Sequence, residues 1–146
     1  RTKYFKRVTS STYSLLKGRS DEFSCSFRTA EFYLTAAEAA ARLGHTTDAI
    51  NYLTPLMTKR LNASAYQTTT ALIGTMTEEE LIQEILDERA RELAFEGHRW
   101  YDLRRTSQPA LTRVYDGTTY TLLPEQYTMR FPSEAVEANP EIERWQ

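Results

Sequence analysis

The stretch ERARELAFEGHRWYDLRR, Glu88 to Arg105, decides the fold. It is built of strong helix formers and broken once, at Gly97, so it reads as the end of one helix, a bend, and a shorter helix from about His98 to Arg105. Upstream, Thr77-Glu78-Glu79-Glu80 is a capping box with Glu80 at the third helical position, just ahead of Leu81 and Ile82. At about 100° per residue, Leu81, Ile82, Ile85, Leu86 and Leu93 trace an inward arc. The same arithmetic places Arg89, Glu92 and Glu96 inside that arc, where apolar residues belong. Charges so placed persist only when paired and hydrogen-bonded.

Two chemistries fit such a pattern. Glu92 and Glu96, or Glu92 and Asp102, could act as an acid/base pair on a glycosidic bond. Carboxylates one turn apart on one helix face, however, do not easily straddle a substrate. The alternative is a structural charge network of Glu88, Arg89, Glu92, Glu96, Arg99 and Asp102, extended by Arg104 and Arg105, that pins the bend at Gly97. Arg–carboxylate forks are the usual way to satisfy buried charges, so the second reading is preferred and no catalytic residue is assigned.

Working outward, FRTAEFYLTAAEAAARL, from Phe27 to Leu43, sets Phe27, Ala30, Leu34, Ala37 and Ala41 on one helical face, with Gly44 placed for a left-handed cap. A second helix follows at once, capped by Thr46 or Thr47, with Ala49, Ile50, Leu53, Leu56 and Met57 apolar. Pro55 is expected to kink or end it. So short a connection predicts an antiparallel, tetratricopeptide-like hairpin. Residues 62–76, rich in Thr, Ser and Asn, read as a polar connection. After Pro109, Val114-Tyr115 and Tyr120 to Leu123 predict a β-hairpin over a four-residue loop, Asp116 to Thr119. Residues 1–26 read as an irregular arm with a short extended piece at Lys3 to Val8. The tail from Pro124 reads as extended, with one helical turn at Ser133 to Glu137. The fold class is mainly α, a hairpin plus a long charged helix, with irregular arms and a short β-hairpin.

Composition removes other classes. The chain has 146 residues, room for one domain or a piece of a larger one. Its 18 Lys and Arg nearly cancel 20 Asp and Glu, and no basic stripe invites nucleic acid. Cys25 has no partner for a disulfide and no metal-ligand spacing. His45 and His98 form no HExxH motif, so His98 reads as a structural histidine. There is no Gly-rich phosphate loop and no GxSxG elbow. The basic opening is followed by Thr9, Ser10, Ser11 and Thr12 where a signal sequence would be apolar, and no run has the roughly 20 apolar residues that span a bilayer. Trp100, Tyr101, Tyr115, Tyr120, Tyr127 and Trp145 could stack on sugars, though each is more readily a core or seam residue.

The charged stretch resembles the signature helix of the SusD/RagB family, nutrient-binding outer-membrane lipoproteins of Bacteroidetes. Three further stretches agree in order. Lys3-Tyr4-Phe5 resembles the strand that opens the family's C-terminal region. Arg28, Ala30, Glu31, Leu34, Ala37, Glu38 and Ala39 fall on the pattern of its AE/AEA helix. Pro132, Glu134, Asn139 and Pro140 resemble its closing segment. Met129-Arg130-Phe131 and Pro55 depart from the pattern. Family members are several times longer, so residues 1–146 are expected to be one domain, the C-terminal region of a longer protein. The resemblance implies a non-catalytic, cofactor-free protein on the outer-membrane surface. It would hold oligosaccharide or polysaccharide for a SusC-type TonB-dependent transporter, anchored by a lipid on a cysteine absent from these residues. A helical interaction module without its own ligand is the alternative.

Overall fold

A computed structural model describes residues 5–9, 13–15, 28–128, 131–139 and 141. It is mainly helical, with two short antiparallel sheets. The chain divides into two compact units, Arg1–Arg99 and Trp100–Gln146.

In the first unit, β1 (Phe5–Arg7) pairs antiparallel with β2 (Tyr13–Leu15), Lys6 opposite Ser14. The arm is therefore less irregular than its sequence suggests: β1 lies inside the expected extended piece, and β2 was not anticipated. Then come α1 (Thr29–Arg42), α2 (Thr46–Arg60), α3 (Ala63–Ile73) and α4 (Glu78–Glu92). Ala37 and Ala41 are fully buried on α1, and such small side chains let it pack closely against α2 and α4. Leu34, Leu53, Leu81 and Ile85 fill the space between, and Ile73 of α3 joins them.

The α1–α2 turn is a Schellman motif. His45 N–H donates to Ala40 O at 2.9 Å, Gly44 N–H donates to Ala41 O at 3.0 Å, and Gly44 sits at φ 75°. This return occupies the residues before Thr46, so α2 starts without a side-chain cap on His45.

Two expectations fail here. Helix α2 runs through Pro55 to Arg60. Pro55 and Asn51, whose carbonyl the proline cannot serve, are both exposed, so water can satisfy that carbonyl, while buried Leu53, Leu56 and Met57 hold the helix on either side. Residues 62–76 are not merely a connection, since α3 fills most of them. Asn62 caps it, its Oδ1 accepting from Ala65 N–H at 2.8 Å, and Thr68 and Thr70 turn their hydroxyls back onto the carbonyls of Ser64 and Tyr66.

The capping box forms as expected: Glu80 N–H donates to Thr77 Oγ1 and Thr77 N–H to Glu80 Oε2. The Thr77 backbone N–H, donating to the carboxylate, is the chief cause that holds the Glu80 carboxyl below its ordinary pKa. Helix α4 ends at Glu92, earlier than the Glu96 expected, and Phe95 (φ 66°) and Gly97 (φ 84°) turn the chain into α5 (His98–Arg105).

The second unit holds most of α5, the strands β3 (Leu111–Tyr115) and β4 (Thr118–Leu122), a 3₁₀ turn at Pro124–Tyr127 where an extended tail was expected, and α6 (Ser133–Ala138). Its hairpin has the tightest loop, two residues rather than four. Asp116 (φ 48°) and Gly117 (φ 72°) both take left-handed conformations, the type I′ pattern, so Thr118 and Thr119 join the ladder. Tyr127 is fully buried, stacks on Trp100 with ring centroids 5.1 Å apart, and donates its hydroxyl to Pro109 O at 2.9 Å. These two aromatics are packing residues. Trp145 and Cys25 lie outside the described residues.

Candidate functional site: a buried carboxylate cluster

Glu92, at the end of α4, is 4% exposed. Arg60, the last residue of α2, grips it with two bonds, Nε to Oε2 and NH2 to Oε1, each 2.8 Å. Arg28 approaches from the start of α1. Its NH2 reaches Glu92 Oε1 at 2.5 Å, while its NH1 donates to Glu92 O at 3.0 Å and to Glu96 Oε1 at 2.7 Å. Both carboxylate oxygens of Glu92 are thus filled by N–H donors from two other helices.

The local sequence explains the arrangement only in part. Arg28 occupies the N-cap of α1 with extended backbone and makes no side-chain cap. Caps are normally Ser, Thr, Asp or Asn, and a cation is unfavourable at the positive end of the helix dipole. The carboxylates of Glu92 and Glu96 offset that placement. Arg60, by contrast, sits at the C-terminal end of α2, where the dipole favours a cation.

Burial pushes the Glu92 carboxyl toward the neutral form. The hydrogen bonds and charge of Arg60, with the charge and hydrogen bond of Arg28, outweigh it and hold the group below the usual carboxylate range. A general acid or base is most effective with a pKa near the working pH and with a face open to substrate. Glu92 has neither.

Glu88, Arg89 and Asp102 of the expected network have partners of their own. Arg89 is 6% exposed and donates to Thr35 Oγ1 of α1 at 3.2 Å. Glu88 and Glu84 both pair with Arg91, Glu88 Oε2 at 2.7 Å from its Nε. Burial of Arg91 opposes its charge, but Glu88 and Glu84 together raise its pKa. Arg99 is exposed and outside the cluster. Asp102 is buried in the second unit, where it accepts from Arg105 Nε at 3.0 Å and NH2 at 2.7 Å. His98 Nδ1 lies 3.6 Å from Glu31 Oε1, and buried Glu38 accepts from Arg42 at 2.9 Å.

Arg28 and Arg60 are the two cations of the cluster that sequence reasoning did not include. For Arg28 a signal existed: a basic residue at a helix start, where an acidic one is preferred, invites a search for a distant carboxylate. For Arg60 there was none, because a basic residue ending a helix needs no further explanation. Arg28 opens the AE/AEA helix, and Glu92 and Glu96 lie on the charged stretch, so two of the four segments that carry the family resemblance are joined by these bonds.

The family model of the SusD family matches residues 2–142. The chain belongs to the SusD family. Within that family, a SusD-like protein of Formosa agariphila is 37% identical over 83 residues, which make up 56% of this chain and 16% of that protein. This SusD-family chain therefore spans a small part of that relative's length. Among the described residues, no helix is long and apolar enough to cross a membrane.

Proposed function

We propose that this SusD-family chain is the C-terminal region, residues 1–146, of a non-catalytic protein on the outer-membrane surface. That protein captures oligosaccharide or polysaccharide and passes it to a SusC-type TonB-dependent transporter. Family membership supports the class. The observation that carries the non-catalytic reading is the closure of Glu92 by Arg60 and Arg28. In this reading Arg28, Arg60, Glu92 and Glu96 are internal fasteners that hold three helices in register, and Arg89 and Asp102 are satisfied buried charges of the same kind. The anchor and much of the sugar-contacting surface belong to the rest of the longer protein.

A reducing-sugar assay over a polysaccharide panel, run beside calorimetry on the full-length protein, tests this. The expected result is binding without turnover. Turnover above background, lost in Glu92→Gln, would restore the carboxylate-pair hydrolase. Capture of a protein partner with no sugar bound would favour a helical interaction module.

A further inference from the structure

The β3–β4 hairpin has a chemical asymmetry that the cluster above does not explain. Its register sets Arg113 opposite Tyr120 and Tyr115 opposite Thr118. Side chains alternate across a strand, so these four share one face with the Leu111–Leu122 pair, and Tyr115 and Tyr120 are diagonal neighbours. The other face carries Thr112, Val114, Thr119 and Thr121, with the hydroxyls of Thr112 and Thr121 3.3 Å apart. Both tyrosines are open to solvent, Tyr115 at 75% and Tyr120 at 57% exposure. None of the ion pairs among the described residues involves Arg113. Its NH1 donates to the adjacent Thr112 O at 2.9 Å. The hairpin's one other charge, Asp116, is at its tip in the type I′ turn.

We infer that the Arg113–Tyr115–Tyr120 face is a binding site for an acidic oligosaccharide, a chain of sugar rings bearing carboxylates. The inference rests on the glycan-capture reading and names a site and a ligand charge for it. Aromatic rings with a polar tip present flat apolar area to the C–H faces of sugar rings, while their hydroxyls and Thr118 meet the sugar hydroxyls. The guanidinium of Arg113, opposite Tyr120 in the register, can match a carboxylate with two parallel N–H bonds, which a neutral sugar cannot use. The type I′ turn makes the site rigid, because it fixes the register that brings the two rings together.

The test is calorimetry on the full-length protein with hexameric oligogalacturonate, and with maltohexaose as the neutral probe. The expected result is tighter binding of the uronate, weakened by added salt, and a loss of roughly tenfold or more in Arg113→Gln and in Tyr120→Ala. Val114→Ala, on the opposite face, is expected to leave affinity unchanged, and circular dichroism checks that each variant is folded. Uronate affinity unchanged in Arg113→Gln and Tyr120→Ala overturns the site while leaving glycan capture standing, as does binding of the neutral probe alone. Failure of the full-length protein to bind any member of the polysaccharide panel overturns both.

Discussion

Arg60 and Glu92, 32 residues apart in sequence, meet through two 2.8 Å bonds that tie the end of α2 to the end of α4. Arg28 completes the arrangement by bonding Glu92 and Glu96 from the start of α1. A carboxylate this enclosed is costly to leave unmatched: removing one partner of a buried pair strands the other, at about 3–5 kcal/mol. Because Arg60 is partly exposed, water can compensate it, and the lower end applies. Glu92→Ala is expected to destabilise this chain by about 3 kcal/mol in urea denaturation. In a double-mutant cycle with Arg60→Ala, the two changes should be strongly non-additive.

The pH dependence follows from the depressed Glu92 pKa. In the unfolded chain Glu92 titrates near 4.3. Its folded value is lower, so the unfolded state binds the proton first as pH falls. The contribution of Glu92 is fully present above the unfolded value and disappears as pH drops through the folded one. Thermal melts below about pH 4.3 should show stability falling in the native chain, and falling less steeply in Glu92→Gln.

Pro55 offers a test in the opposite direction. It interrupts the hydrogen-bond ladder of a helix that forms regardless. Pro55→Ala restores a donor for the Asn51 carbonyl and is expected to stabilise the chain, by up to about 3 kcal/mol. A lower melting temperature in this variant would mean that the ring makes favourable contacts.

Gly97 isolates backbone strain. A Cβ added there would meet nothing within 4 Å, yet its φ is 84°. Gly97→Ala should therefore cost about 1–2 kcal/mol through conformation alone, with Asn, which tolerates left-handed geometry, costing less. Equal effects of Ala and Asn would show that space rather than φ decides.

Local, backbone-determined features of the chain were more legible than those that depend on tertiary packing. Periodicity and the Thr77–Glu80 box placed α4, and Gly44 and Gly97 marked their turns, because these signals are local and backbone-determined. Helix α3 was hidden because Thr68, Thr69 and Thr70 have weak helix propensity, and its formation depends on Ile73 entering a core assembled by other helices. Pro55 misled for the same reason, since tertiary packing on either side overrides its local cost. At the candidate site, helical arithmetic pointed Glu92 inward, but its partners come from α1 and α2, and no spacing rule spans such distances. Arg89 was likewise placed inward by the helical arithmetic, but its bond to Thr35 on α1 could not be read from spacing.

We propose that the Glu92–Glu96 cluster fastens helices and does not handle sugar. The most direct measurement is glycan affinity and thermal stability of the full-length protein, compared between native and Glu92→Gln forms. A lower melting temperature is expected in Glu92→Gln, with unchanged affinity for whichever polysaccharide is bound. Unchanged stability with lost affinity, or with loss of a hydrolytic activity, would contradict it.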